Sequence, residues 1–530
     1  MSNQKTTEYL LWSLKGALYL ILLTPLLVSP KYLFPFITTK TIYFRLLVEL
    51  AVLLYITLVM IAPEFKPKMT KLSWAVVAFG LIIFITGITG VDFYKTFWGT
   101  IERGEGFLTI SHLITYFLLL TWVLKSNKEW FNYLTAAVGV GVLVDFYALL
   151  QQAGVKHFFL FGRIIHPGES RLSATIGNAA FLGAYTLANF FLSLLLFLKR
   201  KHLAWKIAFT SAIILNFYVL FQSRTRGALL AWLIVSILLS LFYALKSPNK
   251  LKKYVAIGIL FLIIATSFTI WLNKESNWVQ KNHTLKRLVS ISRHDITTES
   301  RLLAWDTSWK GWKDRFLLGY GWENYNIAFN KYFHAEIFKD AGSQLWFDRA
   351  HNTIFDVAVA TGIFGLICYL VIFGLALYYL FKNLKTDFDL SVILIALLVA
   401  HFLQNIFVFD VLASYIILFM TFALANFSAM QKKNQSNQEV NLNTKKEFNV
   451  LTFSIALIVI LFAAYIFNIK PAQANRKSVK ALIAANSNQE KQAVKFFQEA
   501  IEMKTYQTPE IRQKLADNII LYNKTSSRAS

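Results

Sequence analysis

The chain has 530 residues, of which 56% are hydrophobic, 16% aromatic and 16% charged, with a formal net charge of +25. A soluble protein of this size would carry roughly 25% charged residues, so this composition excludes an ordinary soluble enzyme. The single cysteine, Cys368, lies in an apolar run, and we expect neither an intramolecular disulfide nor a thiolate metal site.

Apolar stretches of about twenty residues recur along the chain, and this is the length that crosses a hydrocarbon core of roughly 30 Å. They predict an all-α polytopic membrane protein with about thirteen spans. We expect these spans at 8–29, 41–62, 72–90, 107–124, 131–152, 175–198, 205–222, 227–245, 254–272, 353–381, 390–409, 411–428 and 449–468. The first apolar segment, Leu10 to Val28, lacks a small-residue cleavage site, which predicts an uncleaved first helix rather than a signal peptide.

Lysine in the short loops indicates the orientation, because cytoplasmic loops carry an excess of basic residues. With a cytoplasmic N-terminus, every lysine-rich short loop falls on the cytoplasmic side. These loops contain Lys66, Lys68, Lys71, Lys125, Lys128, Lys199, Lys201, Lys206, Lys246, Lys250, Lys252, Lys253, Lys382, Lys385, Lys432 and Lys433. The pattern predicts a cytoplasmic N-terminus and an external C-terminus.

The opposite loops, at 91–106, 153–174, 223–226 and 273–352, carry arginine instead. A planar guanidinium binds phosphate or carboxylate oxygens in a bidentate manner that lysine cannot match. The outward arginines are Arg103, Arg163, Arg171, Arg224, Arg226, Arg287, Arg293, Arg301, Arg315 and Arg349. As a set they predict an anion-binding outer face. For any single member, pairing with an outward carboxylate or with lipid headgroups is the alternative.

Three short motifs place an arginine beside a flexible turn at a helix entrance. The most compact is Gln222-Ser-Arg-Thr-Arg-Gly-Ala228, where one span ends and the next begins, so that Arg224 and Arg226 lie at the rim of a cavity. Arg103 beside Gly104, and Arg171 before Gly177-Asn178, are weaker examples. All four arginines are candidates for binding a diphosphate.

Polar residues within the spans cluster toward the same face. His401, Gln404, Asn405 and Asp410 follow helical spacing along one outward-running span. Polar and ionisable groups at membrane depth usually face a bundle interior or a wet cavity, which predicts a cavity open to the outer side. For His401 taken alone, a hydrogen bond that packs helices is the favoured explanation.

His351 is the outward histidine that lies at a helix start with an amide neighbour, Asn352. An unperturbed histidine has a pKa near 6.5 and can accept a proton at working pH. His351 is therefore a candidate general base. The alternative is that the pair belongs to a helix N-terminus, with Asn352 as its cap.

The predicted domains are a transmembrane region at 1–428 with an outer loop at 273–352, a cytoplasmic linker at 429–448, an additional span at 449–468 and an external helical tail at 469–530. In the tail Ala493, Phe497, Ala500 and Ile501 share one helix face, and a further helix starts near Pro509. This pattern is typical of a single tetratricopeptide-like hairpin. One repeat buries little core, so we expect the tail to dock on the outer loop or on a partner.

These motifs resemble the O-antigen ligase superfamily, which also includes O-antigen polymerases and bacterial O-oligosaccharyltransferases. The resemblance covers roughly Arg103 to Asp410. Its most specific parts are Ser223-Arg-Thr-Arg-Gly-Ala228, the segment from Arg301 to Gly319-Tyr-Gly-Trp-Glu-Asn-Tyr325, and His351-Asn352 leading into Gly362-Ile-Phe-Gly365. It implies a glycosyltransferase architecture of the GT-C type with a large outer loop.

The resemblance implies that His351 is the base that activates the acceptor and that Arg226, with Arg224 beside it, and Arg301 contact a lipid diphosphate. Arg103, Arg171, Asn352 and Tyr325 are further candidates for binding the diphosphate or glycan. The expected donor is a glycan on a polyprenyl diphosphate, and the acceptor is a glycolipid, a protein or a polymer at the outer face of the cytoplasmic membrane. The expected transfer is inverting and needs no metal or other cofactor.

Two alternatives remain open from the residues. A glycan polymerase would use the same donor site with a second lipid-linked glycan as acceptor. A polytopic transporter is the alternative from a different class, although transporters tend to show paired repeats and sites near the midplane. The positive net charge is explained by the lysine-rich cytoplasmic loops, the arginines of the outer site and the basic tail. No nucleic-acid partner is therefore expected.

Overall fold

The computed structural model describes residues 3–166, 171–290, 296–339, 346–434 and 449–526, and these residues are almost entirely helical. The helices preceding the outer region are α1 Asn3–Ile21, α2 Thr38–Ile61, α3 Lys71–Thr89, α4 Phe93–Trp98, α5 Phe107–Val123, α6 Asn127–Gln152, α7 Ala179–Lys199, α8 Leu203–Gln222, α9 Arg226–Lys246 and α10 Lys250–Leu272. The outer region contains α11 Asn277–Lys281, α12 His283–Val289, α13 Ile296–Asp314 and α14 Tyr325–Lys331. The remaining helices are α15 Thr353–Asn383, α16 Phe388–Gln404, α17 Leu412–Asn434, α18 Val450–Ala463, α19 Lys470–Asn486, α20 Glu490–Glu502 and α21 Thr508–Ser526. A two-residue antiparallel ladder joins His157–Phe158 to Gly162–Arg163.

The predicted fold class is confirmed. In the described part of the chain, eleven helices are long and apolar enough to cross a membrane. Two shorter apolar helices, α5 and α16, coincide with the other two predicted spans. The last long helix runs from Val450 to Asn486 without a break in helicity, so it extends from the predicted thirteenth span directly into the tail.

The chain forms two compact units. One comprises Met1–Lys68, Tyr94–Val123 and Val440–Ser530, and the other comprises Met69–Phe93 and Leu124–Glu439. In the second unit α7 packs against α6, α8 and α16, while α15 packs against α3, α16 and α17. The predicted division at 428, 448 and 468 stays a prediction.

The helix α15 is kinked in its N-terminal third, and the segment that follows α13 packs against this kink. Gly362 has a φ of 64° inside the helix. The peptide N–H of Ile363 donates to Phe316 O at 2.8 Å, and that of Tyr320 donates to Val359 O at 2.8 Å. A Cβ on Gly362 would lie 2.2 Å from Leu317 O, so only glycine permits this close backbone approach. The two glycine motifs noted in the sequence therefore attach the outer region to the membrane bundle.

The region predicted as a large outer loop is a small helical assembly with its own core. Its central cluster contains Ala304, Tyr320, Tyr325, Ala328, Phe329, Ile337, Phe347, Ala350 and Val359, and all of these are buried. Since Val359 belongs to α15, the core of this assembly is continuous with the membrane helix. Arg293, one of the predicted outward arginines, lies outside the described residues.

In the first unit, the helical tail packs onto the segments that connect the early helices. Asn475 Oδ1 accepts from Leu33 N at 2.8 Å, and the Glu510 carboxylate accepts from Ile101 N at 2.8 and 3.0 Å. The rings of Trp98 and Tyr506 stack with centroids 4.9 Å apart. These contacts supply the docking surface that a single hairpin needs, where the sequence had suggested the outer loop or a partner. The linker predicted at 429–448 lies largely outside the described residues.

Candidate active site

Four arginines from separate segments line one pocket of about 140 Å³. They are Arg171, Arg226, Arg287 and Arg301, and each is half-buried. The other residues of the lining are Ala180, Thr225, Gly227, Gln404, Phe407 and Val408, so the described lining contains no carboxylate. Four guanidinium groups that converge on one partly desolvated space concentrate positive charge there, and positive charge attracts an anion more strongly where water is excluded. The pocket is therefore suited to a multiply charged anion.

Two of these arginines are held by hydrogen bonds to backbone and hydroxyl oxygens. Arg171 Nε donates to Ser223 O at 3.1 Å, and its Nη2 donates to Thr225 Oγ1 at 3.1 Å. Arg226 Nε donates to Arg287 O at 2.8 Å, which joins the start of α9 to α12. These bonds place guanidinium groups from distant parts of the chain in fixed positions around the pocket.

Two arginines, Arg224 and Arg226, lie where α8 ends and α9 begins, and Arg226 lines the pocket. Arg224 is half-buried and has a left-handed backbone with φ of 54°. Within the described residues, the lining of the pocket includes Arg226 and does not include Arg224. The geometry therefore favours Arg226 over Arg224 as the anion-binding residue of the pair.

Arg301 belongs to α13, and the next turn of this helix carries a residue that reaches the segment before α15. Trp305 Nε1 donates to Ala350 O at 3.1 Å. The Trp305 ring also lies 6.3 Å from the ring of Phe407, which lines the pocket. Arg301 and the residue before His351 are therefore positioned by the same helix.

His351 has a strained backbone and a defined ring environment. Its φ is 51°, which is uncommon for a residue with a Cβ and is found disproportionately at functional sites. The ring lies between Phe347 and Phe409, with centroids 5.3 and 5.1 Å away. Its Nδ1 is 3.2 Å from Arg349 O. Because a carbonyl oxygen only accepts, this contact favours a proton on Nδ1, and in the neutral ring that tautomer has its lone pair on Nε2.

Asn352 is the N-cap of α15, as the alternative interpretation of the sequence proposed. Its Oδ1 accepts from Ile354 N at 2.9 Å and from Phe355 N at 3.3 Å. Asp356, one turn into the helix, accepts from Ala350 N at 2.5 Å. The cap and this carboxylate therefore fix the backbone on both sides of His351. Asn352 acts here as a positioning residue.

Arg349 differs from the pocket arginines because it is buried in an ion pair. Its side chain is 6% exposed and contacts the Glu323 carboxylate, which is 3% exposed. The guanidinium also lies over the rings of Trp322 and Phe409, 5.5 and 5.7 Å from their centroids. Among the arginines predicted to face outward, four thus line the pocket, whereas Arg349 is buried against Glu323.

Two predicted site residues lie in other surroundings. Tyr325 is 2% exposed and belongs to the outer core, where its hydroxyl donates to Ala304 O at 3.1 Å and lies 2.9 Å from Ser308 Oγ. Burial raises the pKa of this hydroxyl. Arg103 belongs to the first unit and has the Glu102 carboxylate 4.0 Å from its Nη2. The structure thus assigns Tyr325 to the packing of the outer assembly.

Two residues of the pocket lining, Arg287 and Gln404, were not among the site residues predicted from the sequence. Arg287 was one of ten outward arginines, and its local sequence does not distinguish it from the others. Gln404 was noted only as one of several polar residues on a span. The network beside it is structural: the Asp410 carboxylate accepts from Asn405 Nδ2 at 2.6 Å and from Ser414 Oγ at 2.7 Å, and lies 3.1 Å from His401 Nε2.

No metal site is indicated in the described part of the chain, where no three His, Cys, Asp or Glu side chains are grouped closely enough to hold an ion. One Asp-x-Asp motif, Asp387-Phe-Asp389, lies at the start of α16. Asp387 caps α16 and contacts Lys199, and Asp389 pairs with Lys252 at 2.6 Å. These carboxylates therefore cap a membrane helix and pair with lysines near helix ends.

Comparison with known proteins identifies the segment that contains most of this site. Residues 211–370 match the family model described as O-antigen ligase. This range includes the turn with Arg224 and Arg226, together with Arg287, Arg301 and His351. No curated protein matches the chain. The match supports glycan transfer of the O-antigen ligase or polymerase kind as the general activity, and it supports a relationship of residues 211–370 to the O-antigen ligase superfamily.

Proposed function

We propose that the protein transfers a glycan from a polyprenyl diphosphate to an acceptor hydroxyl at the outer face of the cytoplasmic membrane. The observation that carries this proposal is the convergence of four arginines, from separate segments of the chain, on one pocket. A diphosphate joined to a lipid is a multiply charged anion that must be bound next to hydrocarbon. Guanidinium groups bind its oxygens in a bidentate manner and offset a charge that would otherwise be costly there.

In the proposed reaction, an acceptor hydroxyl oxygen attacks the anomeric carbon while the bond from that carbon to the diphosphate oxygen breaks. The leaving diphosphate takes the electron pair, and Arg226, Arg301, Arg171 and Arg287 stabilise its charge. Nε2 of His351 takes the hydroxyl proton. Attack opposite the leaving group inverts the anomeric carbon. Charge stabilisation by arginine makes the proposed step independent of a metal ion.

Several features support the placement of His351 beside the donor. Phe409 packs on the His351 ring and follows directly after Phe407 and Val408, which line the pocket. Thr353 N, two residues after His351, donates to Asn405 O at 2.9 Å. The histidine is thus anchored to the same connection between α16 and α17 that forms one wall of the pocket.

The orientation and the acceptor also belong to the proposal. With the N-terminus in the cytoplasm, the lysine-rich loops face inward and the arginine pocket faces outward. The acceptor is a glycolipid, a protein or a polymer that presents a hydroxyl at the outer face. Arg224 and Asn352 support the turn and the helix start rather than the ligand in this scheme, while Arg103 and Tyr325 lie outside the pocket-lining set.

The test uses the full chain in lipid nanodiscs, a polyprenyl-diphosphate glycan as donor, and the three acceptor classes in turn, with and without a metal chelator. We expect turnover by the wild type in chelator and an inverted anomeric centre in the product. His351→Ala lacks the proposed general base, and its turnover should be about 100-fold or more slower than that of the wild type. Arg226→Ala should lose donor affinity. His283→Ala and Arg163→Ala, at exposed outer positions, are matched controls.

The products discriminate between the related activities. One glycan joined to an unrelated acceptor indicates a ligase, whereas lengthening of the lipid-linked glycan itself indicates a polymerase. Unchanged turnover by His351→Ala would remove the histidine from the mechanism. Donor that is bound but never consumed with any acceptor would favour a lipid-glycan binder or a transporter.

A further inference from the structure

Gln404 is a buried glutamine in the arginine pocket whose amide is not used by the fold. It is 1% exposed and lines the pocket at the C-terminal end of α16. Within the described residues, neither its Oε1 nor its Nε2 has a hydrogen-bond partner. Leaving a buried amide unsatisfied costs roughly 1–3 kcal/mol. A buried amide without a partner therefore indicates a group whose role is something other than stabilising the fold.

The neighbouring polar residues show that hydrogen bonds are available at this helix end. Asn405 Nδ2 donates to the Asp410 carboxylate at 2.6 Å, and His401 Nε2 lies 3.1 Å from the same carboxylate. Gln404, in the same turn, faces the pocket instead of joining this network. The arginines that share the pocket lining only donate, and the hydroxyl of Thr225 already donates to Ala179 O at 2.9 Å. The remaining lining is apolar and includes Phe407 and Val408.

The chemistry of an amide differs from that of the surrounding arginines. Phosphate oxygens accept hydrogen bonds, so a diphosphate needs donors and has no use for the amide oxygen. A sugar hydroxyl or acetamido group both donates and accepts, and it can satisfy both amide atoms together. In a donor of the proposed kind, the first such groups beyond the diphosphate belong to the sugar attached to it.

We propose that Gln404 binds the hydroxyl or acetamido groups of the sugar bonded directly to the diphosphate, an inference that rests on the proposed function. The arginines hold the anionic part of the donor, and Gln404 holds the first sugar against them. Gln404 thus distinguishes a glycosylated polyprenyl diphosphate from a bare one and orients the anomeric carbon between the pocket and His351.

The test measures the affinity of the full chain in nanodiscs for two lipids: a polyprenyl diphosphate with no sugar and one that carries a single N-acetylglucosamine. Gln404→Met keeps the side-chain length and removes the amide. We expect it to weaken binding of the glycosylated lipid about tenfold and that of the bare lipid by less than about twofold. Gln152→Met, at an exposed helix end, is the matched control and should change neither affinity.

Thermal unfolding without lipid supplies a second readout. Because the amide makes no hydrogen bond within the described protein, Gln404→Met should melt at or above the wild-type temperature. A loss of stability in Gln404→Met would indicate a structural role and overturn the inference. Equal weakening for both lipids, or no weakening, would also overturn it. If the wild type binds neither lipid, the proposed function fails and this inference falls with it.

Discussion

The indole nitrogen of Trp305 donates to the carbonyl oxygen of Ala350 at 3.1 Å, which ties α13 to the residue that precedes His351. Arg301 lies one turn before Trp305 on the same helix and lines the pocket. This bond therefore sets the distance between an arginine of the pocket and the proposed base.

Trp305→Phe keeps an aromatic ring and removes this hydrogen bond. We expect a loss of about 1 kcal/mol in stability and a roughly tenfold lower kcat, because small displacements of catalytic groups reduce rates strongly. Steady-state transfer kinetics and thermal unfolding measure the two effects. Trp309→Phe, at an exposed position on α13, is the control. Equal kcat values for the two variants would contradict a positioning role for Trp305.

Arg287→Gln tests whether the pocket, rather than the sequence motif alone, defines the anion site. We expect binding of a polyprenyl diphosphate to weaken about tenfold or more, since hydrogen bonds to charged groups contribute roughly 1.5–3 kcal/mol. Arg301→Gln should behave similarly. Arg163→Gln removes an exposed outward arginine and should leave affinity unchanged. Equal effects of Arg287→Gln and Arg163→Gln would indicate a general charge effect instead of a defined site.

The buried pair of Arg349 and Glu323 predicts strongly coupled effects on stability. Arg349→Gln leaves the Glu323 carboxylate buried without its partner, and the expected cost is roughly 3–5 kcal/mol. The double variant Arg349→Gln with Glu323→Gln should recover a large part of this loss. A double-mutant cycle on thermal unfolding measures the coupling. Additive losses from the two single variants would show that the pair does not act as a unit.

The outer assembly should lose stability in acid. A hydrogen bond from Lys331, together with one from Tyr320, holds the pKa of Asp314 below its ordinary value of 3.8. A carboxyl with a lower pKa in the folded state contributes stability above its unfolded pKa, and this contribution is lost as the pH falls through the folded pKa. Asp314→Asn should therefore melt lower than the wild type at pH 7 and approach it below about pH 4.

The control for this prediction is Glu275→Gln, which removes one exposed acidic group at the start of the outer region. Its difference from the wild type should be small at both pH values. A constant difference between Asp314→Asn and the wild type across this range would show that the ionised carboxylate does not contribute through Lys331 and Tyr320.

Asn475→Ala should loosen the tail from the segment before α2. Its Oδ1 accepts from Leu33 N at 2.8 Å, its Nδ2 donates to Gln507 Oε1 at 3.1 Å, and the side chain is fully buried. The expected cost is roughly 1–3 kcal/mol, seen as faster hydrogen exchange at Leu33 and in α21. Asn486→Ala, at the exposed end of the same helix, should exchange like the wild type. Exchange that rises only within α19 would argue against docking through this residue.

The sequence predicted the helices of this protein because hydrophobicity and length are local properties. Each predicted span corresponds to an apolar helix in the described structure. The face of α20 that carries Ala493, Phe497 and Ala500 was predicted from its spacing, and these residues are buried. The family resemblance rested on equally local motifs, and the match to residues 211–370 confirms it.

Local sequence did not reveal which arginines share a pocket. Arg171, Arg226, Arg287 and Arg301 come from four separate segments, while Arg349, from the same outward set, is buried against Glu323. One arginine side chain looks like another in sequence, and its role depends on the partners that packing brings to it. Tyr325 was selected as part of a motif, yet its hydroxyl is used inside the outer core.

The sequence by itself determined the membrane class, the positions of the spans, the resemblance to the O-antigen ligase superfamily and the residue types available for chemistry. The tertiary structure decided that Arg226 rather than Arg224 lines the pocket and that the His351 ring packs between Phe347 and Phe409. It also placed Gln404 among the arginines, with an amide that has no hydrogen-bond partner among the described residues. The physical reason is that helix formation follows from neighbouring residues, whereas a binding site is formed by contacts between residues far apart in the chain.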